Sequence, residues 1–300
     1  MIWGEVAALG TAVTWSFALL LYTLASRKMG SFTMSHFRMG FGLLTLFFLN
    51  WIVMGTPSLA HLSQEQWIWI GLSGFCGFFL CDALLLQSCV DIGPKTAILI
   101  FTTSPFMSAF LGYFFLGERL TLSTWLGMTI TLSGIALVVF EQKRNGINLK
   151  SKHVIRGLGF AVGAAFFQAA GFALAKPAMI SENPVDPLTT TFVRAIFGFL
   201  GFWLITIFSG RVKKVVRHIQ DKQSMLYIFT GATISLVFGV WLSMIAVKLA
   251  PIGIVTTIMA LMPVTVLPLA ALIYKEKITK RAIIGAVIAC VGVAVLFNMS

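Results

Sequence analysis

The chain has 300 residues, of which 58% are hydrophobic and 11% charged, with a mean hydropathy of +0.93. A soluble domain carries about 25% charged residues, so composition excludes a soluble globular protein and predicts a polytopic membrane protein. The net charge of +12 does not point to nucleic acid, because the basic residues sit in short connections between apolar segments rather than on one continuous basic face.

A membrane-spanning helix needs about 20 mostly apolar residues. Ten stretches qualify: 3–24, 33–54, 67–87, 95–116, 122–140, 154–176, 188–209, 225–247, 252–274 and 282–298. The first has no basic leader and no small-residue cleavage site, so it is expected to stay as a helix. It carries Trp15, Ser16 and Tyr22, and the sixth and eighth spans carry Gln168 and Trp241. These amphipathic side chains are candidates to line a cavity, against the alternative of packing or an interfacial belt.

The second span holds Arg38 and the seventh Arg194, each a few residues inside its helix start. An arginine keeps its charge and offers a planar fork suited to carboxylates, so the pair is expected either to clamp an anionic substrate or to anchor helix ends by snorkelling. Asp82, in the third span, is the only acid well inside a span. The cost of an ionisable group in lipid marks it as a proton-coupling or substrate-amine site, with a structural hydrogen bond as the other reading. The same span bears the small stripe Gly71, Gly74 and Gly77, which lets helices approach closely, and the sixth bears a GxxxG at Gly159 and Gly163, where a lone motif is better read as the ordinary frequency of glycine in membrane helices.

Pro105 and Pro263 fall in the middle of the fourth and ninth spans. A mid-helix proline removes a backbone bond, so both are candidate hinges. Glu118 and Glu276 stand in the turns just before the fifth and tenth spans, where a carboxylate caps a helix N-terminus. Cys76, Cys81, Cys89 and Cys290 form no CxxC and no metal-ligand spacing. The four histidines, His36, His61, His153 and His218, have no carboxylate at motif spacing, and no HExxH, GxSxG or Walker sequence is present. No catalytic residue, metal or cofactor is expected.

The chain repeats itself. A shift of 158 superimposes Pro105 on Pro263, Glu118 on Glu276, Gly127 on Gly285 and Gly134 on Gly292. A shift of 156 pairs Thr33, Arg38, Phe41 and Gly42 with Thr189, Arg194, Phe197 and Gly198. This predicts two repeats, 1–145 and 146–300, of five helices each. Five is odd, so the second repeat is expected upside down relative to the first, the architecture of secondary transporters. Of the 22 lysines and arginines, Arg38 and Arg194 lie within spans and Arg119, Lys176 and Lys248 lie on one side. The remaining seventeen lie on the other, which the positive-inside rule makes cytoplasmic, with both termini outside.

The passage ILIFTTSPFMSAFLGYFFLGERLTLSTWLGMTITLSGIALVVF (98–140) resembles the signature of the EamA-type family of the drug/metabolite transporter superfamily: a Ser-Pro in mid-helix, a Gly-Glu-Arg-Leu turn and a glycine-punctuated last helix. The second copy, at 262–297, keeps the proline, glutamate and glycines but has Lys275-Glu276-Lys277 in place of Gly-Glu-Arg. The resemblance covers essentially the whole chain. It implies an all-α integral membrane protein in which the first four helices of each half enclose a cavity and the fifth packs outside, peripheral or dimer-facing. It also implies a secondary transporter, an exporter or permease for a small metabolite such as an amino acid, as a monomer or homodimer in the cell membrane. The family's usual orientation places both termini inside, opposite to the loop charges. Two other readings stay open: a membrane enzyme or lipid-handling protein, which calls for an Asp/His cluster at one face, and a passive channel, which calls for polar stripes.

Overall fold

The computed structural model describes residues 2–55, 59, 62–140, 152–274 and 279–298. Glu276, its lysine neighbours Lys275 and Lys277, His61 and the 145/146 repeat boundary lie outside the described residues. Among the described residues, ten helices are long and apolar enough to cross a membrane. They are α1 (Ile2–Met29), α2 (Ser31–Met54), α3 (Gln64–Ile92), α4 (Pro94–Phe101 and Ser104–Leu116) and α5 (Leu122–Phe140). The second set is α6 (Lys152–Ile180), α7 (Pro187–Phe208), α8 (Lys222–Leu249), α9 (Ile252–Met259 and Met262–Tyr274) and α10 (Lys280–Asn298). At 1.5 Å per residue the 28 residues of α1 run about 42 Å, long enough to cross the hydrocarbon layer with tilt. Side chains such as Phe208 (86% exposed) and Ile52 (80%) point outward, where lipid replaces water as their solvent.

Irregularities recur at the repeat spacing. A π-helical turn interrupts α3 at Phe75–Leu80 and α8 at Thr233–Val240, 158 residues apart at their starts. The break after Phe101 in α4 recurs after Met259 in α9 at the same offset. Such turns leave backbone groups free of the regular ladder and cluster at functional sites.

Close approach depends on small residues. A Cβ on Gly74 would lie 2.6 Å from Arg194 Cα, and one on Gly71 2.8 Å from Phe197, so the α3 stripe seats α7 directly on its backbone. Nothing lies within 4 Å of a Cβ on Gly159, while one on Gly163 would meet Leu84 at 3.2 Å; Gly171 is the α6 glycine that meets Gly77 of α3. Glycines also join α5 to α10, where a Cβ on Gly127 would lie 2.9 Å from Leu296 and one on Gly285 2.7 Å from the Gly134 carbonyl oxygen. These two fifth helices pack on each other, outside the other eight.

Candidate transport site

The central cavity lies among α1, α4, α6 and α9 and has a volume of about 70 Å³, narrower than the usual small-molecule site. Both interrupted helices reach it. In α4 the last helical bond runs from Thr102 N to Ile98 O (2.9 Å), and the chain then leaves the helix through a tighter turn, Thr103 N donating to Ile100 O (3.0 Å). In α9, Ala260 N and Leu261 N do the same towards Thr256 O and Ile258 O, both at 3.0 Å. Thr102, Ser104, Ala260 and Met262 therefore face the cavity from helix ends rather than from a continuous helix wall.

Pro105 and Pro263 are not mid-helix, as the span lengths suggest. Each is the second residue of the resumed segment, because the helix has already ended at Phe101 or Met259. A proline there loses nothing, since the first N–H groups of a helix have no internal partner. Pro263 lines the cavity, and Pro105 is buried beside it in the chain's core.

Trp15 and Gln168 both line the cavity, as does Phe172 one turn further along α6. Gln168 Oε1 also accepts from Cys81 Sγ at 3.4 Å. Trp241 is not among the lining residues and packs half-buried against the core. Ser16 and Thr265 hydroxyls meet at 2.5 Å and tie α1 to the second segment of α9. The Tyr22 hydroxyl bonds Ser235 in the α8 π turn at 2.6 Å.

Asp82 is not the isolated carboxylate that its surroundings in sequence indicate. Arg38 Nη2 donates to Asp82 Oδ2, and the guanidinium lies 5.7 Å from the centre of the Tyr22 ring. The two side chains are 19% and 25% exposed. Arg194 occupies a different setting. It is 2% exposed, its Nη1 donates to Met244 Sδ (2.9 Å), and its guanidinium lies 4.8 Å from the Phe78 ring centre and 5.5 Å from that of Phe172.

Glu118 does not cap α5. Its Oε2 accepts from Ile252 N (2.9 Å), capping α9, and its Oε1 accepts from Lys176 Nζ (2.7 Å). Lys176 Nζ also donates to Ala250 O at 2.7 Å, so one ion pair joins the α4–α5 turn, the end of α6 and the α8–α9 connection. Lys176 is thus a buried partner rather than a loop charge. Sequence reasoning passed over Glu5 as well, which is 0% exposed with neither carboxylate oxygen hydrogen-bonded. Its one signal was an acid in the first turn of an apolar helix. Among the described residues no group of three or more His, Cys, Asp or Glu is placed to hold a metal ion.

The α4–α9 contact is one-sided. Ser104–Leu116 packs on Ile252–Met259, and a Cβ on Gly253 would sit 2.8 Å from the Ala109 Cβ. The other segments turn to different neighbours: Pro94–Phe101 lies on α3 and α6, and Met262–Tyr274 lies on α1 and α5. The Glu118–Lys176 pair stands on the joined side.

The profile of the EamA-like transporter family matches residues 2–140 and again 155–298. Two uncharacterized transporters of Bacillus subtilis (strain 168) are similar: YdfC, 27% identical over 56% of this chain and 48% of its own length, and YetK, 27% identical over 82% and 71%. The chain thus spans about half of YdfC. A solved crystal structure superposes with a TM-score of 0.76 over 99% of this chain and 96% of the other, at 17% identity, a likeness of fold alone. With two family matches across nearly all of ten membrane-spanning helices, the chain belongs to the EamA-like transporter family.

Proposed function

We propose that this transporter carries a small metabolite, of the size of an amino acid or a related compound, as a secondary transporter working by alternating access between two inverted five-helix halves. The one-sided α4–α9 contact is the observation that carries this reading. Ser104–Leu116 and Ile252–Met259 meet at one end of the cavity, while Met262–Tyr274 and Pro94–Phe101, their counterparts at a shift of 158, part at the other. A structure built from two like halves is then in one of two interchangeable arrangements, and exchanging the roles of the halves would open the joined end. Such a one-sided closure favours a carrier over a channel.

Trp15 and Gln168 are the substrate-facing residues in this reading, with Pro105 and Pro263 at the breaks about which α4 and α9 bend. Asp82 and Arg38 serve coupling: a proton on the Asp82 carboxylate removes the charge that holds Arg38, and the freed guanidinium changes partner. The loop charges favour a cell-membrane orientation with the basic side inward and both termini outside. The reading is tested by an uptake and export screen of small metabolites in proteoliposomes, with and without a pH gradient. Transport of a defined set of compounds, saturable and faster under one gradient direction, supports it. Unsaturable leakage of many unrelated solutes would favour a channel instead.

A further inference from the structure

Arg194 is the counterpart of Arg38 at the shift of 156, yet the two cations are satisfied differently. Arg38 has Asp82. The residue 158 positions after Asp82 is Val240, so the second half keeps the arginine and has no acid in the matching place. Among the described residues the ion pairs are Arg38–Asp82, Arg156–Asp91 and Lys176–Glu118, and none includes Arg194. Its Nε has no hydrogen-bond partner, and the ionisable groups near enough to act on its charge are the thiols of Cys76 and Cys81. A buried guanidinium with five donors, one thioether and two ring faces is far from satisfied.

The surroundings fit a group that arrives from the cavity. Phe172 borders the cavity, and its ring also covers the Arg194 guanidinium at 5.5 Å. Gly77 lets the fork lie directly against the α3 backbone, since a Cβ there would come within 2.8 Å of Nη2. The cavity wall beyond is mostly apolar, with Trp15, Ile98, Phe101 and Met259.

Building on the transport reading above, we propose that Arg194 is the receptor for a carboxylate borne by the transported molecule, which has an apolar body and reaches the guanidinium by displacing the Phe172 ring. A carboxylate satisfies the fork with two parallel hydrogen bonds, which neither methionine sulfur nor an aromatic face can do. The anion completes in the second half what Asp82 completes in the first.

The test is binding by the purified full chain in detergent, read as a shift in thermal unfolding, because a ligand that binds only the folded state raises Tm. The probes are sodium acetate, sodium phenylacetate and sodium 4-methylpentanoate, with phenylacetamide as the neutral shape control and sodium chloride at equal ionic strength. The proposal expects a rise in Tm with phenylacetate or 4-methylpentanoate, none with phenylacetamide and none with chloride. Val240→Asp places a carboxylate at the position matching Asp82, one helical turn before the Met244 that Arg194 contacts. It should raise the ligand-free Tm and weaken carboxylate binding by on the order of tenfold or more. Arg194→Gln should abolish the shift, and Val240→Asp keeps the test informative if that variant does not fold. No shift with any of the three carboxylates, an equal shift with chloride, or undiminished binding by Val240→Asp overturns the proposal. Binding is read without transport, so these results are separate from the proteoliposome screen: saturable transport there together with failure here leaves the carrier reading standing and removes the receptor.

Discussion

Glu118→Gln is the most informative single change to the joined end of the cavity. Glutamine keeps the shape and can still accept from Ile252 N, but it removes the charge that faces Lys176. The two side chains are 11% and 10% exposed, so solvent does little to screen the loss. Removing one partner of a buried pair costs about 3–5 kcal/mol, because the remaining charge stays buried. Ala250 O still accepts from Lys176 Nζ, which argues for the lower end, about 3 kcal/mol. If that penalty falls on the joined arrangement alone, with Lys176 hydrated once the end opens, the balance shifts by on the order of 10²-fold. The assay is the labelling rate of Ala109→Cys, 2% exposed within the α4–α9 contact, in a background with Cys76, Cys81, Cys89 and Cys290 replaced. Added Glu118→Gln should raise that rate at least about tenfold. Adding Lys176→Met should lower it again by removing the orphaned charge. An unchanged rate in a folded, membrane-inserted Glu118→Gln variant would refute the reasoning that this pair holds the end shut.

Gly74→Val should strongly reduce the folded, inserted yield, since its side chain would collide with the Arg194 backbone, which cannot yield as a side chain can; overpacking of this kind costs about 1–3 kcal/mol or more. Gly159→Ala, which meets nothing, should be silent in the same yield and thermal-melt measurements, and equal behaviour of the two variants would contradict the packing account. Asp82→Asn should abolish accumulation driven by a pH gradient while the protein still inserts, and wild-type accumulation by that variant would leave Asp82 with a structural role only. A cysteine near residue 147 should resist an impermeant thiol reagent in intact cells while one at the C-terminus labels; the reverse pattern would place the termini inside.

The spans and the repeat were legible because hydropathy needs only length and composition, and the shift of 158 survives in prolines and glycines with fixed structural uses. The third-span stripe was legible too, since residues three apart share a helix face. The partners were not. Arg38 and Asp82 are 44 residues apart, and Glu118 and Lys176 are 58 apart, and nothing local in sequence joins them. Faces were hidden for a different reason. A helix that is apolar all round has no inward stripe to read, so Trp15 and Trp241 looked alike until packing set both against the core and only Trp15 on the cavity wall. The prolines marked the breaks in α4 and α9 but not their starting points, which lie a few residues earlier in ordinary threonine, alanine and leucine.

Alternating access requires the joined segments of α4 and α9 to part in every cycle. The direct test is a reversible disulfide between Ala109→Cys and Gly253→Cys in the background lacking the native cysteines: a Cβ on Gly253 would lie 2.8 Å from Ala109 Cβ, so the segments need back off by only about 1 Å to reach disulfide spacing. Oxidised protein in proteoliposomes should lose transport and regain it on reduction, while each single-cysteine variant stays active. Transport at the reduced rate by fully cross-linked protein would contradict the account, because the substrate would then cross with that end of the cavity locked.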